Sequence, residues 1–203
     1  MRSLILGLLL AGLSLPAAAD TLSYLVLKEG EPIGHETVTV TRDGQSTRVH
    51  VATETRVKVL FLDFHFTHQR DETWTGTRLQ RLVSDTDDDG EIHHLEGRAD
   101  DRSMKLEVDG KPRELPADSL PLTLWTKAIL DCRLLYSVID ATPYPVTITD
   151  LGPDRLILAG RQVATEHYRI AGGVARELWY GADGQLLKTA FERRGYPIEV
   201  VRE

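Results

Sequence analysis

The chain has 203 residues, a formal net charge of −7 and a single cysteine, Cys132. Its acidic, well-mixed charge argues against nucleic acid and anionic lipid surfaces as partners, because both bind clusters of Lys and Arg. A single cysteine excludes an intramolecular disulfide, and the length is sufficient for one domain with a substantial core.

Residues 1–19 are predicted to form an export signal peptide. Arg2 supplies the positive start, residues 4–13 the apolar run, and alanines at 17–19 the small-residue cleavage site. No cysteine follows that site to accept a lipid, and no later stretch approaches the about 20 apolar residues that a transmembrane helix needs. The sequence therefore predicts an exported, soluble protein of the periplasm or cell exterior, with a single mature domain at residues 20–203.

Residues 22–59 follow the pattern of three antiparallel strands. Turn signals at Gly30 and at Asp43-Gly44 separate them, and the Asp-Gly pair supplies the positive φ that tight hairpins need. In residues 47–59, Thr and Val occupy the odd positions and mainly polar residues the even ones. We expect one face of this strand to be buried and the other to be wet.

Residues 62–74 are predicted to form a strand whose two faces are less simple. The odd positions from 63 to 73 are polar. The even positions carry the apolar residues Leu62, Phe64, Phe66 and Trp74, and between them three ionisable residues, called the charged triplet below: His68, Arg70 and Glu72. Period-2 geometry turns the triplet to the same side as the aromatic rings, where polar groups must be paired or solvated. In one interpretation the strand leaves the core there, and Arg70 and Glu72 meet partners on neighbouring strands. In the other, the triplet is the polar floor of a ligand cavity with aromatic walls.

Residues 85–96 match the calcium-binding loop of an EF-hand at each defining position. Asp side chains at its first, third and fifth places would supply oxygen ligands, with Gly90 at the bend and Glu96 as the closing ligand. The alternative is the acidic tip of a hairpin, since Asp and Gly favour turns on conformational grounds. Gly97 disfavours the second helix that an EF-hand requires, so we predict a hairpin and no cofactor, with calcium as the alternative.

Residues 118–135 are the one stretch of the predicted mature domain with a helical pattern. An apolar stripe at helical spacing carries Leu124, Trp125, Ala128, Ile129 and Cys132. We predict an amphipathic helix near residues 122–131 that packs on the concave face of the sheet, with Cys132 as a buried, unreactive thiol.

Strand and turn signals then recur about every 8–12 residues to the end of the chain, which is typical of an antiparallel fold. The predicted fold class is mainly β. We expect one curved antiparallel sheet or incomplete barrel, with the amphipathic helix on its concave face.

Short motifs occur in a recognisable order across nearly the whole predicted mature chain: Tyr24, Gly30 with Ile33-Gly34, 57–61, 72–76, Trp125, and 178–180 with Gly184. In these motifs the chain resembles DUF6134, a family of uncharacterised exported bacterial proteins. The resemblance implies that residues 85–96 form a strand–turn–strand unit, and it supplies no catalytic residues. The expected architecture is also similar, at the level of the fold alone, to the half-barrels of periplasmic lipoprotein carriers.

No catalytic signature accompanies this pattern, because the sequence has neither an HExxH motif, nor a GxSxG serine, nor a phosphate-binding glycine loop. We therefore favour a non-enzymatic binding or carrier protein for an apolar or lipid-like ligand. The predicted wall residues are Phe64, Phe66, Trp74 and Trp125, and the predicted orienting residues are His68, Arg70 and Glu72. Two alternatives are a cell-envelope module that binds another protein, for example by strand addition, and an enzyme with a dispersed His, Asp and Glu set.

Overall fold

The computed structural model describes residues 18–59 and 62–203. The predicted signal peptide lies outside this part except for Ala18 and Ala19, which open the first strand. The described chain forms fifteen strands and one 3-10 helix, Lys127–Asp131. The strands are β1 (Ala18–Lys28), β2 (Glu31–Asp43), β3 (Ser46–Val59), β4 (Leu62–Thr75), β5 (Arg78–Asp88), β6 (Glu91–Ala99), β7 (Ser103–Val108), β8 (Lys111–Pro116), β9 (Leu120–Pro121), β10 (Leu134–Tyr136), β11 (Pro143–Leu158), β12 (Arg161–Gly172), β13 (Arg176–Tyr180), β14 (Leu186–Arg193) and β15 (Tyr196–Arg202).

All these strands join one sheet, in the order β8-β7-β6-β5-β4-β3-β2-β1-β15-β14-β13-β12-β11-β10-β9. Neighbouring strands are antiparallel, except that β9 and β10 are parallel. The edge strands β8 and β9 do not pair with each other in the described part, so the sheet is open and does not close into a barrel. The prediction of a mainly β, antiparallel fold is confirmed.

The sheet curls far enough for distant strands to meet. Arg193 on β14 places Nη2 2.8 Å from Oδ2 of Asp88 on β5, although β4, β3, β2, β1 and β15 lie between these two strands. Strand twist alone bends a sheet progressively, and this contact records how far the bending goes. The curl gives the sheet a concave inner face.

Tight turns connect many of the strands. Glu29 and Gly30 join β1 to β2 with φ of 53° and 87°, and Asp109 and Gly110 join β7 to β8 with φ of 50° and 75°. Two successive positive φ values define the type I′ turn, whose twist matches that of antiparallel strands. The turn predicted at Gly30 is therefore present as a hairpin, and Asp109-Gly110 forms another.

Apolar side chains of alternate residues cover the inner face. On β3, Val49 and Val51 are 1% and 3% exposed, as the alternation in residues 47–59 predicts. Other strands contribute a continuous set of inner-face residues: Leu22, Tyr24, Val26, Val38, Val40, Leu82, Leu95, Leu106, Ile170, Leu178, Tyr180, Leu186, Ile198 and Val200. One contiguous core therefore lies on the concave side of the sheet.

The prediction of an amphipathic helix near residues 122–131 is wrong. Within residues 118–135 the structure has only the five-residue 3-10 helix, with the short strands β9 and β10 on either side. Long-range backbone bonds compete with helix formation here: Leu122 N–H donates to the Tyr136 carbonyl at 2.8 Å, and Val146 N–H donates to the Arg133 carbonyl at 2.9 Å. Tertiary partners thus override a helical pattern of side chains. In the described ranges no helix has the length and apolar character needed to cross a membrane.

Residues 117–142, which connect β8 to β11 and are called the inner segment below, lie against the inner face of the sheet. The Tyr180 hydroxyl on β13 donates to the Leu124 carbonyl at 3.2 Å. Ser84 on β5 donates to the Val138 carbonyl, and Ile129 is fully buried. The inner segment therefore occupies the place expected for the helix, in an irregular conformation.

Residues 85–96 belong to the β5–β6 hairpin, whose turn is Asp89-Gly90. The register pairs Asp85 with His94 and Asp87 with Ile92, which spreads the acidic groups along two strands. The strand–turn–strand prediction is confirmed, and the calcium interpretation lacks the flanking helices that it requires.

Candidate ligand-binding cavity

The charged triplet on β4 lies in the interior of the protein. Period-2 geometry places His68, Arg70 and Glu72 on the inner face, as predicted, and they are 4%, 7% and 1% exposed. They are not at the rim of the sheet, because the inner segment covers them. Buried charges need specific partners, and each of the three has them.

Glu72 is the centre of this buried network. Its Oε1 accepts a hydrogen bond from Arg70 Nε at 2.7 Å, and its Oε2 accepts from Trp74 Nε1 at 2.7 Å and from Trp125 Nε1 at 2.8 Å. The two indole rings meet edge to face, with centroids 5.6 Å apart. Charge-assisted bonds of this kind are stronger than neutral ones, so the carboxylate ties β4 to the inner segment.

Arg70 and His68 extend the network. Arg70 Nη2 donates to Thr123 Oγ1 on the inner segment at 3.3 Å, and its Nη1 lies 3.3 Å from His68 Nε2. His68 Nδ1 lies 2.8 Å from Thr86 Oγ1 on β5. Burial, together with the charges of Arg70 and Arg193, lowers the pKa of His68 to about 3. The imidazole is therefore neutral at ordinary pH, with Nε2 as the acceptor facing the guanidinium.

A cavity of about 200 Å³ lies between the inner face and the inner segment. Its walls are mainly apolar and come from β1, β2, β3, β4, β13, β14, β15 and the inner segment. The lining residues are Tyr24, Val26, Ile33, Glu36, Val38, Val51, Thr53, Thr55, Phe66, His68, Arg70, Leu122, Leu124, Trp125, Val138, Ile139, Arg176, Leu186, Thr189, Phe191, Arg193, Ile198 and Val200.

The cavity brings together four of the seven residues predicted for a ligand site: Phe66, His68, Arg70 and Trp125. The other three do not line it. Trp74 and Glu72 are each 1% exposed and lie behind the wall, where they hold Trp125 and Arg70 in place. Phe64 is half-buried and belongs to the same strand, outside the lining.

Sequence reasoning missed the cavity residues on β13 and β14. Arg176 on β13 shares its face with Leu178 and Tyr180, two positions and four positions further along the strand. The same period-2 argument that identified the triplet on β4 would have placed this arginine on an apolar inner face. Arg193 lies two positions after Phe191 on β14, so the same argument would have placed it on the inner face, whereas its contact with Asp88 depends on the curl of the sheet.

Ionic contacts to Asp88 cross one end of the cavity. Asp88 Oδ2 is 2.8 Å from Arg193 Nη2, and Asp88 Oδ1 is 3.2 Å from Arg194 Nη2. The Arg193 guanidinium also stacks over the Phe66 ring, with its carbon 4.4 Å from the ring centroid. Together these contacts, called the Asp88 clamp below, join the ends of β5 and β14.

A wider depression of about 380 Å³ lies elsewhere, beside the start of the inner segment. Its lining includes Arg78, Asp118 and Asp131, all of which are exposed. This depression is a surface feature and is not continuous with the residues of the charged triplet.

Among the described residues, neither a reactive thiol nor a metal-binding cluster accompanies the cavity. Burial raises the pKa of the Cys132 thiol to about 11, which favours the unreactive protonated form. In residues 18–59 and 62–203 no group of three or more His, Cys, Asp or Glu side chains is arranged to hold a metal ion.

The chain is similar to proteins whose function is not known. A family model described as "Domain of unknown function (DUF6134)" matches residues 24–203. The fold is similar to the crystal structure of a beta-barrel-like protein of domain of unknown function DUF1849 from Brucella abortus, with a TM-score of 0.66 and 11% identity. That similarity covers 90% of this chain and 95% of the Brucella chain, and at such low identity it concerns the fold alone. No curated protein matches the chain.

Proposed function

Since the chain belongs to the DUF6134 family, a domain of unknown function, we propose its role from the geometry of the cavity: a non-enzymatic carrier for a small apolar ligand. The observation that supports this proposal is the largely apolar cavity between the curled sheet and the inner segment. Concave, mostly apolar sites with a few fixed polar groups are the usual form of small-molecule binding sites.

The volume limits the size of the ligand. An apolar cavity of about 150 Å³ holds one benzene molecule, so about 200 Å³ suits an apolar body of about eight carbons. A whole phospholipid is too large for the cavity. We therefore propose a ring or a single short chain as the part of the ligand that is enclosed.

The charged triplet on β4 supports binding more than catalysis. Glu72 accepts from three donors, and His68 is engaged on both ring nitrogens, so these groups have structural partners already. A general base needs a lone pair that can reach the substrate proton, and none of these residues offers one. The predicted signal peptide supports a periplasmic location for the proposed carrier.

The first experiment is native mass spectrometry of the protein purified from the cells that export it. We expect additional mass of a small apolar molecule that denaturation releases. The bare polypeptide mass, together with no binding of added octanol in calorimetry, would contradict the proposal.

A cavity-filling variant makes the test specific. Val38→Phe places a larger side chain on the cavity wall, whereas Val163→Phe makes the same change on β12, outside the lining. We expect Val38→Phe to weaken octanol binding at least tenfold and Val163→Phe to leave it unchanged, with both variants folded by circular dichroism. Equal binding by the two variants would place the ligand elsewhere.

A further inference from the structure

Three guanidinium groups line the cavity, and they differ in their partners. Arg70 pairs with Glu72, with Nε 2.7 Å from Oε1, and Arg193 pairs with Asp88 at 2.8 Å. The Arg176 guanidinium forms neither an ion pair nor a hydrogen bond with any residue that the structure describes, and its Nε is fully buried without an acceptor. Its guanidinium carbon lies 3.8 Å from the centroid of the Phe191 ring, a cation–π contact that leaves the N–H groups unused.

A second polar group without a partner lies next to the unused donors of Arg176. Thr189 Oγ1 on β14 also lines the cavity and is buried without a hydrogen-bond partner. The register pairs Thr189 with Leu178, two residues from Arg176 on β13, so the two side chains are diagonal neighbours on the inner face. A long side chain reaches across that diagonal.

No carboxylate of the cavity neutralises Arg176 by direct contact. Glu36 is the one acidic residue of the lining, and its Oε2 accepts a hydrogen bond from Thr53 Oγ1 at 2.8 Å. Burial is the main reason that the pKa of Arg176 falls to about 10, while Glu36 opposes that fall from a distance. The guanidinium therefore stays charged at neutral pH. Arg176 as a whole is half-buried, but its Nε is removed from solvent, and a desolvated polar group without a partner is rare in folded proteins because its desolvation is costly.

We propose that the ligand is a short-chain carboxylate and that Arg176, with Thr189, binds its carboxylate group. The inference rests on the proposed carrier function and names the chemical class of its ligand. A planar guanidinium matches a carboxylate through two parallel N–H···O bonds, and the Thr189 hydroxyl adds a donor. The carboxylate lies near Phe191, and the chain extends along the apolar wall towards Tyr24 and Val38.

The test is a calorimetric titration of the purified protein with octanoate and, as the matched neutral probe, octanol. We expect the unmodified protein to bind both. Arg176→Met keeps an apolar stem and removes the charge, so it should weaken octanoate binding at least about tenfold and octanol binding less than about twofold. Arg176→Lys keeps the charge without the planar fork and should retain part of the octanoate affinity.

Arg155→Met is the matched control, because it removes one positive charge from an exposed position on β11. It should leave both affinities unchanged. Equal octanoate binding by Arg176→Met and the unmodified protein would overturn the assignment of Arg176 while leaving the carrier function standing. Loss of octanol binding in Arg176→Met to the same degree would also overturn it, since the residue would then act on the shape of the cavity.

Two further outcomes separate the carrier function from the ligand class. Binding of neither probe by the unmodified protein would overturn the proposed function itself. Tighter binding of octyl phosphate than of octanoate, lost in Arg176→Met, would overturn the carboxylate assignment in favour of a phosphate headgroup.

Discussion

At the scale of single residues, Glu72 joins three donors in the interior of the protein. Its side chain is fully buried and accepts from Arg70, Trp74 and Trp125. Glu72→Gln removes the negative charge, so the buried Arg70 guanidinium loses its counter-charge. The new amide NH2 group would also face one of the three N–H donors that the carboxylate accepts from. We expect a loss of about 3–5 kcal/mol in the free energy of unfolding, measured by urea denaturation.

A double variant distinguishes charge from shape in this network. Arg70→Met combined with Glu72→Gln removes both charges, so it should recover much of the stability lost in Glu72→Gln alone. Glu107→Gln on β7 is exposed and should change the free energy of unfolding by less than about 0.5 kcal/mol. Additive losses in the double variant would show that the ion pair is not the source of the effect.

His68 makes stability sensitive to acid. Its pKa is lowered to about 3 in the folded protein by burial first and by Arg70 and Arg193 second, whereas an unfolded histidine titrates near its ordinary value. Between these two values the unfolded state binds more protons, so acid favours unfolding. The contribution is fully present above the unfolded pKa and declines as the pH falls towards the folded pKa. At about pH 5 the loss amounts to about 2 kcal/mol relative to neutral pH.

The measurement compares acid sensitivity rather than absolute stability. We expect His68→Gln to lose about 2 kcal/mol less than the unmodified protein between neutral pH and about pH 5, in urea denaturation at both pH values. His35→Gln changes an exposed histidine and serves as the control. The same acid sensitivity in His68→Gln and the unmodified protein would mean that His68 is not buried in its neutral form.

How much of the site could be predicted depends on how local its causes are. The alternation along β4 was enough to place His68, Arg70 and Glu72 on one inner face, because period 2 is a property of the strand itself. Some of the bonds that occupy these residues lie within β4, and Thr86 is the register partner of His68 on the neighbouring strand β5. The partners Thr123 and Trp125 come from the inner segment, whose position depends on tertiary packing, so no local pattern indicated them.

At the scale of elements, the inner segment shows where a helical pattern of side chains misleads. Leu124, Trp125 and Ile129 follow helical spacing, yet Trp125 points its indole N–H at Glu72 and Ile129 is buried in a 3-10 turn. The apolar spacing reflects contact with the concave sheet. The position of the segment was predictable from its apolar character, but its conformation depends on bonds to β10, β11 and β4.

The backbones of β2 and β3 approach each other so closely at Gly34 that a side chain there should destabilise the fold. A Cβ at Gly34 would overlap the carbonyl oxygen of Glu54 and lie 2.7 Å from the Thr55 Cα, both of which are backbone atoms. A Cβ at Gly97 on β6 would meet the Leu106 side chain at 2.8 Å, and a side chain can rotate away. We expect Gly34→Ala to cost at least about 2 kcal/mol in the free energy of unfolding and Gly97→Ala clearly less.

Thermal and urea denaturation of both variants measure this difference. Replacing glycine by alanine restricts the unfolded chain equally in the two, so that contribution cancels in the comparison. Equal losses in stability would mean that the β2–β3 backbones can separate at Gly34 without cost.

At the scale of the whole molecule, the sheet remains open, and a different feature limits strand addition at each of its two edges. The edge strand β8 carries Pro112 and Pro116, which cannot donate to an added strand. The other edge, β9, has only two residues. These edges offer little to a partner that binds by strand addition, which favours the cavity over the edges as the functional surface.

The Asp88 clamp joins β5 to β14 across the curl of the sheet. The Asp88 side chain is 21% exposed and those of Arg193 and Arg194 are 36% and 55% exposed, so solvent screens these ion pairs. We expect Asp88→Asn to cost about 1 kcal/mol in the free energy of unfolding and to speed hydrogen exchange at residues 191–195. Asp101→Asn, at a side chain that is 95% exposed, is the control and should change neither quantity. Unchanged exchange in Asp88→Asn would show that the clamp does not hold the two ends together.

Binding of an apolar ligand in the cavity under the inner segment can be followed through the indole N–H signals in nuclear magnetic resonance. Trp125 lines the cavity, whereas Trp179 faces outward and donates from Nε1 to Asp154 Oδ2 at 2.9 Å. On titration with octanoate we expect the Trp125 indole signal to shift in proportion to occupancy and the Trp179 signal to stay in place. A shift of Trp179 alone, or of neither signal at saturating octanoate, would show that the cavity does not bind the ligand.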